Sequence, residues 1–255
     1  MIDDGFYCMD CFDGMAQIDD KSIDMILCDL PYGTTQCSWD VVIPFEPLWD
    51  EYKRIIRDNG AIVLFGMEPF SSYLRISNIK MFKYDWIWDK VKGTGFLNAK
   101  KQPMRNHEIV SVFYKNQCKY HPQMTAGHKP VHNYTKHSSD GDCYGKTRTG
   151  ISGGGSTERY PRSIQVFSAD TQLSSVHSTQ KPVSLCEYLI KTYTDVGDLV
   201  LDNCAGSCST GVACHNAGRR FIGFEKDREI FEKANKRLTE HKAQINLFDI
   251  GLERK

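Results

Sequence analysis

The sequence has no surplus charge of either sign: 32 lysines and arginines face 32 aspartates and glutamates across 255 residues. A chain balanced in this way does not coat nucleic acid indiscriminately, so any grip on a polyanion must come from local patches. It also lacks a run of 18 or more apolar residues, and its N-terminus has no charged stretch leading into an apolar one. A membrane span and a secretory leader are therefore not expected, and the reading is a soluble, cytoplasmic protein with no membrane partner. No internal repeat is evident. Paired cysteine knuckles are missing too: Cys8 and Cys11 form one CxxC pair, while the other cysteines are scattered and Cys204, Cys208 and Cys214 fall at helical spacing. A zinc ribbon needs two close pairs, so no metal is expected and the thiols are read as reduced. What is present is 40% hydrophobic residues, enough for the core of one catalytic domain with an insert or a small second domain.

Ser22–Cys28 is an apolar run of strand length. It stops at Asp29-Leu30-Pro31-Tyr32-Gly33, where proline and glycine end the pairing, which puts Asp29 at a strand's C-terminal end. Leu48, Trp49, Tyr52, Ile55 and Ile56 recur at helical spacing behind Pro47, and Asn59-Gly60 is read as the break before a strand over Ala61–Phe65. That predicts one helix crossing between two parallel strands. A helix through Phe70, Tyr73, Leu74 and Ile76 follows, then strands at Tyr84–Trp88 and Glu108–Tyr114. From about residue 116 to 170 periodicity disappears, and histidines, tyrosines, glycines and an excess of basic side chains take over. A long irregular insert of this composition favours a partner-reading role. Its histidines include one ligand-like pair, His128 and His132, which is discounted as a metal site.

Regular structure returns with Pro182 in the first turn of a helix faced by Leu185, Leu189, Ile190 and Tyr193. A strand Leu199–Leu201, Asp202, a loop to Gly206, a small-residue helix Thr210–Asn216 and a strand Phe221–Phe224 ending on Glu225 come next, before a charged helix over about Arg228–Lys242. Strands alternating with helices argue for an α/β sheet.

Two strand ends carry chemistry. The βαβ unit from Asp202 to Glu225 pairs a small-residue turn with an acid roughly 20 positions on, the pattern that receives an adenosine: glycine admits the ligand and the carboxylate takes ribose hydroxyls. In Gly206-x-Cys208-x-x-Gly211 a cysteine stands where a dinucleotide site needs glycine for pyrophosphate, which speaks against NAD and is no obstacle to S-adenosylmethionine. At the other strand end, a carboxylate and a carbonyl oxygen accepting the two hydrogens of an aromatic amine would localise and aim its lone pair. Asp29 and the Leu30 carbonyl offer these acceptors, Pro31 fixes the turn, and Tyr32 offers a flat face for a base swung out of its stack.

Seven segments occur in one order: Tyr7–Cys11, Asp29–Gly33, Ala61–Gly66, Trp86–Lys90, Gly95–Lys101, His177–Val183 and Leu201–Gly211. Together they resemble the beta group of DNA amino-methyltransferases, N6-adenine and N4-cytosine enzymes of restriction-modification type whose catalytic motif precedes the cofactor motif. The resemblance implies a Rossmann-like S-adenosylmethionine-dependent methyltransferase fold, a mostly parallel sheet with helices on both faces. Residues 1–116 and 171–255 would form the catalytic domain, and 117–170 a target-recognition insert. It implies S-adenosylmethionine as cofactor and double-stranded DNA as partner, with a homodimer left open. Asp29 would grip the target amine and border the cofactor, the Leu30 carbonyl would take the second hydrogen, and Tyr32 would stack on the flipped base. Asp202, Ala205 and Gly206 would lie along the methionine part of the cofactor, Glu225 on its ribose, Asp10 and Cys11 beside its adenine, and Lys181 near its carboxylate. Two positions depart from the family pattern: Leu30 replaces a second proline, and Cys208 replaces a glycine.

For DNA, Lys90, Lys92, Lys100, Lys101 and Arg105 cluster after the Trp86–Trp88 strand, where each can neutralise a phosphate. Arg148, Arg159 and Arg162 of the insert, with Gln123, Asn133 and Lys146, have donors suited to purine edges. Three readings stand: transfer to adenine N6, favoured because the resemblance associates an initial Asp with adenine; transfer to cytosine N4; and a non-catalytic DNA-binding paralogue.

Overall fold

The computed structural model describes residues 2–34, 37, 40–136, 151–168 and 180–252. The chain divides into two compact units, Met1–His121 with Ser163–Lys255, and Pro122–Arg162. In the larger unit β1 (Gly5–Cys8) and α1 (Cys11–Met15) lead to β2 (Ile23–Cys28), α2 (Phe45–Ile55), β3 (Ile56–Gly66), α3 (Phe70–Ser77), β4 (Phe82–Thr94) and β5 (Arg105–Phe113). The smaller unit holds β6 (Tyr134–Lys136) and β7 (Ile151–Gly153). The larger unit resumes with β8 (Ile164–Val166), α4 (Val183–Tyr193), β9 (Leu199–Asp202), α5 (Ser209–Asn216), β10 (Arg220–Glu225) and α6 (Arg228–Leu252).

Among the described residues one eight-stranded sheet runs in the order β1-β10-β9-β2-β3-β5-β4-β8. The first five strands are mutually parallel, β5 is antiparallel to both its neighbours, and β8 lies parallel to β4. Side chains alternate across β2: Met25 and Leu27 pack with Leu185, Leu189, Val212 and Leu238 on one face. Ile26 and Cys28 pack with Met15, Leu48, Tyr52 and Phe70 on the other. A strand covered on both faces must be apolar where it is covered, which is why Met25–Cys28 is an unbroken hydrophobic run, while Asp24, half-buried near the strand's start, pairs with Arg57 at 3.2 Å. Helices therefore cover both faces of a mostly parallel sheet, the Rossmann-like arrangement expected.

One boundary differs from the sequence expectation. Ile56 opens β3 rather than closing α2, and Asn59-Gly60 sits inside the strand, not at a helix break. Ile23 pairs with Ile56 but Met25 with Ala61, so the extra residues form a bulge. At its crown a Cβ on Gly60 would stand 2.8 Å from the Asp24 carbonyl, so the site takes glycine for clearance. The strand expected at 84–88 extends at both ends to Phe82–Thr94, and the one expected at 108–114 begins earlier and ends at Phe113, as Arg105–Phe113; the two meet as the β4–β5 hairpin.

The smaller unit is held by short contacts rather than long ladders: β6 pairs antiparallel with β7, and Thr125 bridges Arg159. The Arg159 guanidinium donates to the carbonyls of Lys129, Ser156 and Glu158, knitting its loops together. Among the described residues no helix is long and apolar enough to cross a membrane.

Candidate active site

β2 and β9 are neighbours, with Ile26 beside Leu201, so the residues that leave their C-terminal ends, Asp29 and Asp202, emerge next to each other. Both line one cleft of about 2100 Å³, together with Leu30, Pro31, Tyr32, Ala205 and Gly206. The topology thus places the two sequence-derived strand ends in a single crevice, as open α/β sheets do at a switch in strand order.

Asp29 is engaged at both oxygens. Tyr32 Oη donates to its Oδ1 at 2.5 Å, and Lys181 Nζ binds its Oδ2. Lys181, itself buried, also lies 3.3 Å from Glu108 Oε2, while Glu108 Oε1 pairs with Lys90. Two carboxylates and two ammonium groups therefore alternate along the cleft wall. Burial raises the Asp29 carboxyl above its ordinary value, with Lys181 working the other way. Burial also opposes the charge on Lys181, but Asp29 and Glu108 outweigh it and hold the ammonium protonated. For Glu108 burial is likewise overcome, by Lys181 and Lys90, and its carboxyl is held below the usual range. Burial and the Asp29 charge push the Tyr32 hydroxyl well up, so it remains a phenol donor, and its ring rests 5.0 Å from that of Phe70.

On the β9 side Asp202 accepts the Cys204 N–H at 3.2 Å, and burial pushes its carboxyl up to about 6. Glu225, at the end of β10, accepts the Gly206 N–H at 3.0 Å and the Asp227 N–H at 2.8 Å, which fixes the turn against the next strand. Asp10 caps α1 through the Phe12 N–H at 3.0 Å and pairs with Lys226 at 3.4 Å. Cys11 does not pair with Cys8, which is exposed: its thiol meets Cys204, which in turn meets Cys28. Cys208 holds the left-handed conformation at φ +59°, where a side chain is strained by roughly 1–2 kcal/mol relative to glycine. Its side chain is buried in the core, and it is not among the residues lining the cleft.

The DNA candidates separate. Lys92, Lys100, Lys101 and Arg105 are exposed on or beside the β4–β5 connection, whereas Lys90 turns its ammonium to Glu108 and the face of Trp88. Arg162 is exposed in the smaller unit, and Arg159 spends its guanidinium on that unit's own carbonyls. Arg148 and Lys146, like His177–Thr179 of the sixth segment, lie outside the described residues.

A family model described as DNA methylase, for N6 and N4 methyltransferases, matches residues 23–236. This chain belongs to the N6/N4 DNA methyltransferases. Type II methyltransferase M1.MboII of Moraxella bovis is 27% identical over 250 residues, covering 89% of this chain and 93% of that protein. M.HinfI of Haemophilus influenzae is 27% identical over 93% of this chain and 68% of its own length. The fold is shared with a crystal structure titled M1.HpyAVI-SAM complex, at a TM-score of 0.59 and 24% identity over 91% and 98% of the two chains. It is shared too with the cytosine-N4-specific PvuII methyltransferase, at a TM-score of 0.66 and 14% identity over 96% and 93%. With the Asp29 segment preceding the Asp202 turn, the methyltransferase has the motif order of the beta group.

Sequence reasoning missed two groups in this methyltransferase's cleft. In the sequence Glu108 is only the first residue of a strand; a charged residue opening an otherwise apolar run is the available signal. Asp40, buried, accepts the N–H groups of Gly33 and Thr34 at 2.8 Å each and so fixes the chain beyond Tyr32. Nothing in spacing alone marks it.

Proposed function

We propose that this methyltransferase moves a methyl group from S-adenosylmethionine to the N6 amino group of an adenine turned out of double-stranded DNA. The observation that carries the reading is the shared cleft: a carboxylate at the end of β2 faces the small-residue turn at the end of β9. The residues of that turn fit the cofactor. A Cβ on Gly206 would meet nothing within 4 Å, so the turn borders open space, and Asp202 and Glu225 flank it with carboxylates suited to a cationic amino acid and a ribose. S-adenosylmethionine, when bound, supplies an electrophilic methyl group.

The chain's own part is to aim the acceptor. An aromatic amine gives its lone pair to the ring; Asp29 and the Leu30 carbonyl, each accepting one hydrogen, turn that pair toward the donor. Tyr32 supplies the wall on which the base lies. Lys92, Lys100, Lys101 and Arg105 hold phosphates, and the smaller unit, with Arg162 exposed, reads the target. The preference for adenine over cytosine rests on the resemblance, which associates an initial Asp in the motif with adenine. Mass spectrometry of nucleosides from DNA treated with protein and S-adenosylmethionine tests the reading: N6-methyladenine is expected, N4-methylcytosine would transfer it to cytosine, and no product would end it.

The Asp202 carboxyl gives a pH test. Ligand cations favour its ionised form, so binding below its value of about 6 must expel a proton. Affinity for S-adenosylmethionine is expected to weaken as pH falls from 7 to 5, approaching about tenfold per pH unit at the acid end. Calorimetry checks this, with Asp202→Asn expected to be flat. In the free protein the sign is opposite: a carboxyl raised from 3.8 to about 6 stabilises the fold most below 3.8, and that contribution is lost as pH rises through about 6. A pH-independent affinity in the unaltered protein would remove Asp202 from the cofactor's charge.

A further inference from the structure

The last paired residues of the β4–β5 hairpin are Thr94 and Arg105, and the chain between them projects beyond the sheet. Gly95, at φ +89°, turns it into a single 3-10 turn, Phe96–Asn98. At this tip Phe96 is 77% exposed and Leu97 99% exposed. Two adjacent large apolar side chains left in water are unfavourable for a folded domain unless something covers them during function.

The surroundings say what covers them. Lys92, Lys100, Lys101 and Arg105, all exposed, flank the tip on the two sides of the same connection. Gly95, Asn98 and Gln102 of the same connection line the cleft that has Asp29 in its wall. A polyanion seated on these cations, of which Lys92 and Arg105 also line the cleft, brings its interior to the apolar tip and one of its units to the cleft. A second copy of this chain would oppose cations to cations in a symmetric contact and is disfavoured.

We propose that the Phe96–Leu97 tip enters the base stack of duplex DNA and covers the base faces exposed when the target nucleotide moves into the cleft. Unstacking a step exposes apolar surface, and proteins that open the duplex fill such gaps with Phe or Leu wedges. The tip lowers the free energy of extrusion, whereas Asp29 acts on the base once it has arrived. The inference rests on the reading of the cleft as the acceptor of a flipped base.

Modified-base sequencing of treated, unmethylated plasmid DNA first gives the target site. Duplexes are then made with the target base either correctly paired or facing an abasic position, which removes its partner and eases extrusion. The variant is Phe96→Ser with Leu97→Ser, two exposed positions whose replacement leaves the core untouched. On the paired duplex its methylation rate is expected to fall about tenfold or more, and on the abasic-opposed duplex by less than about twofold. 2-Aminopurine at the target is expected to brighten with the unaltered protein and stay dim with the variant. Lys100→Ala with Lys101→Ala gives the contrast: equal weakening on both duplexes, and a salt slope shallower by about two. Equal losses on both duplexes, or none, would overturn the wedge. So would a change in sedimentation coefficient accompanying equal losses, which would make the tip a subunit contact. If the unaltered protein methylates neither duplex, the reading of the cleft itself fails, a result distinct from an active enzyme indifferent to its tip.

Discussion

Asp29→Ala should abolish methylation while leaving S-adenosylmethionine bound. Asp29 is the carboxylate at the end of β2, and in the proposed arrangement its charge acts on the amine of the acceptor. A loss of about 10³-fold in kcat is expected for removal of an acceptor that both orients the amine and draws on its hydrogens. Cofactor affinity should stay within about twofold, because the carboxylates of the turn, Asp202 and Glu225, are untouched. The fold should persist too. Lys181 loses one partner but keeps Glu108 at 3.3 Å, so its buried ammonium is not stranded. Asp29→Asn separates shape from charge: it preserves the volume and one acceptor oxygen but loses the charge and sets an N–H donor against Tyr32 or Lys181, which are donors themselves. It should fall between the unaltered protein and alanine in activity. The measurements are methylated nucleoside by mass spectrometry and cofactor binding by calorimetry. Parallel loss of both in a folded variant would mean that Asp29 serves the donor rather than the acceptor.

The parts of this site that could be read from sequence share a physical cause. Met25–Cys28 of β2 and Leu199–Leu201 of β9 are buried on both faces, so each is a continuous apolar run, and each run stops at an acid followed by turn-forming residues. The acid, the run and the turn are all local, which makes Asp29 and Asp202 visible. β1 and β8 were not visible, for the opposite reason. They lie at the two edges of the sheet, four and three residues long with little buried surface, and what defines them is pairing with β10 and β4. The bulge at Gly60 misled because Asn-Gly reads as a break, and only the register of β2 against β3 shows that the strand has begun. Ion pairing was the least legible. Lys181 and Asp29 are 152 residues apart, and the connection of Lys90 to Glu108 needs the β4–β5 pairing of Trp88 with Glu108. Lys90 thus looked like one more surface cation in a basic segment, although the hairpin turns it inward.

That inward network yields the second large expectation. In the free protein both Asp29 oxygens are taken, one by Tyr32 and one by Lys181, so an incoming amine meets an occupied acceptor. Lys181 has somewhere else to go: Glu108 Oε2 is buried, makes no hydrogen bond, and lies 3.3 Å from the ammonium. A small shift of Lys181 from Asp29 to Glu108 would free the catalytic oxygen without stranding either charge. Glu108→Gln removes that alternative. Lys181 then has Asp29 as its one carboxylate neighbour in the network, and kcat should fall about 10- to 100-fold with KM for DNA little changed. Glu108→Asp, which keeps the charge, should recover part of the rate. The decisive comparison is the double variant Glu108→Gln with Lys181→Met. With the competitor gone and charge balance restored, its kcat at saturating S-adenosylmethionine should exceed that of Glu108→Gln alone. Acid sensitivity has a definite sign as well. Glu108 is held below its ordinary value, so its contribution to stability is present above about 4.5 and lost as pH falls through its lowered value. Thermal melts should therefore separate Glu108→Gln from the unaltered protein at neutral pH and converge in acid. If the double variant is slower than Glu108→Gln, Lys181 is an aid to Asp29 and not its competitor, and the hand-over to Glu108 does not occur.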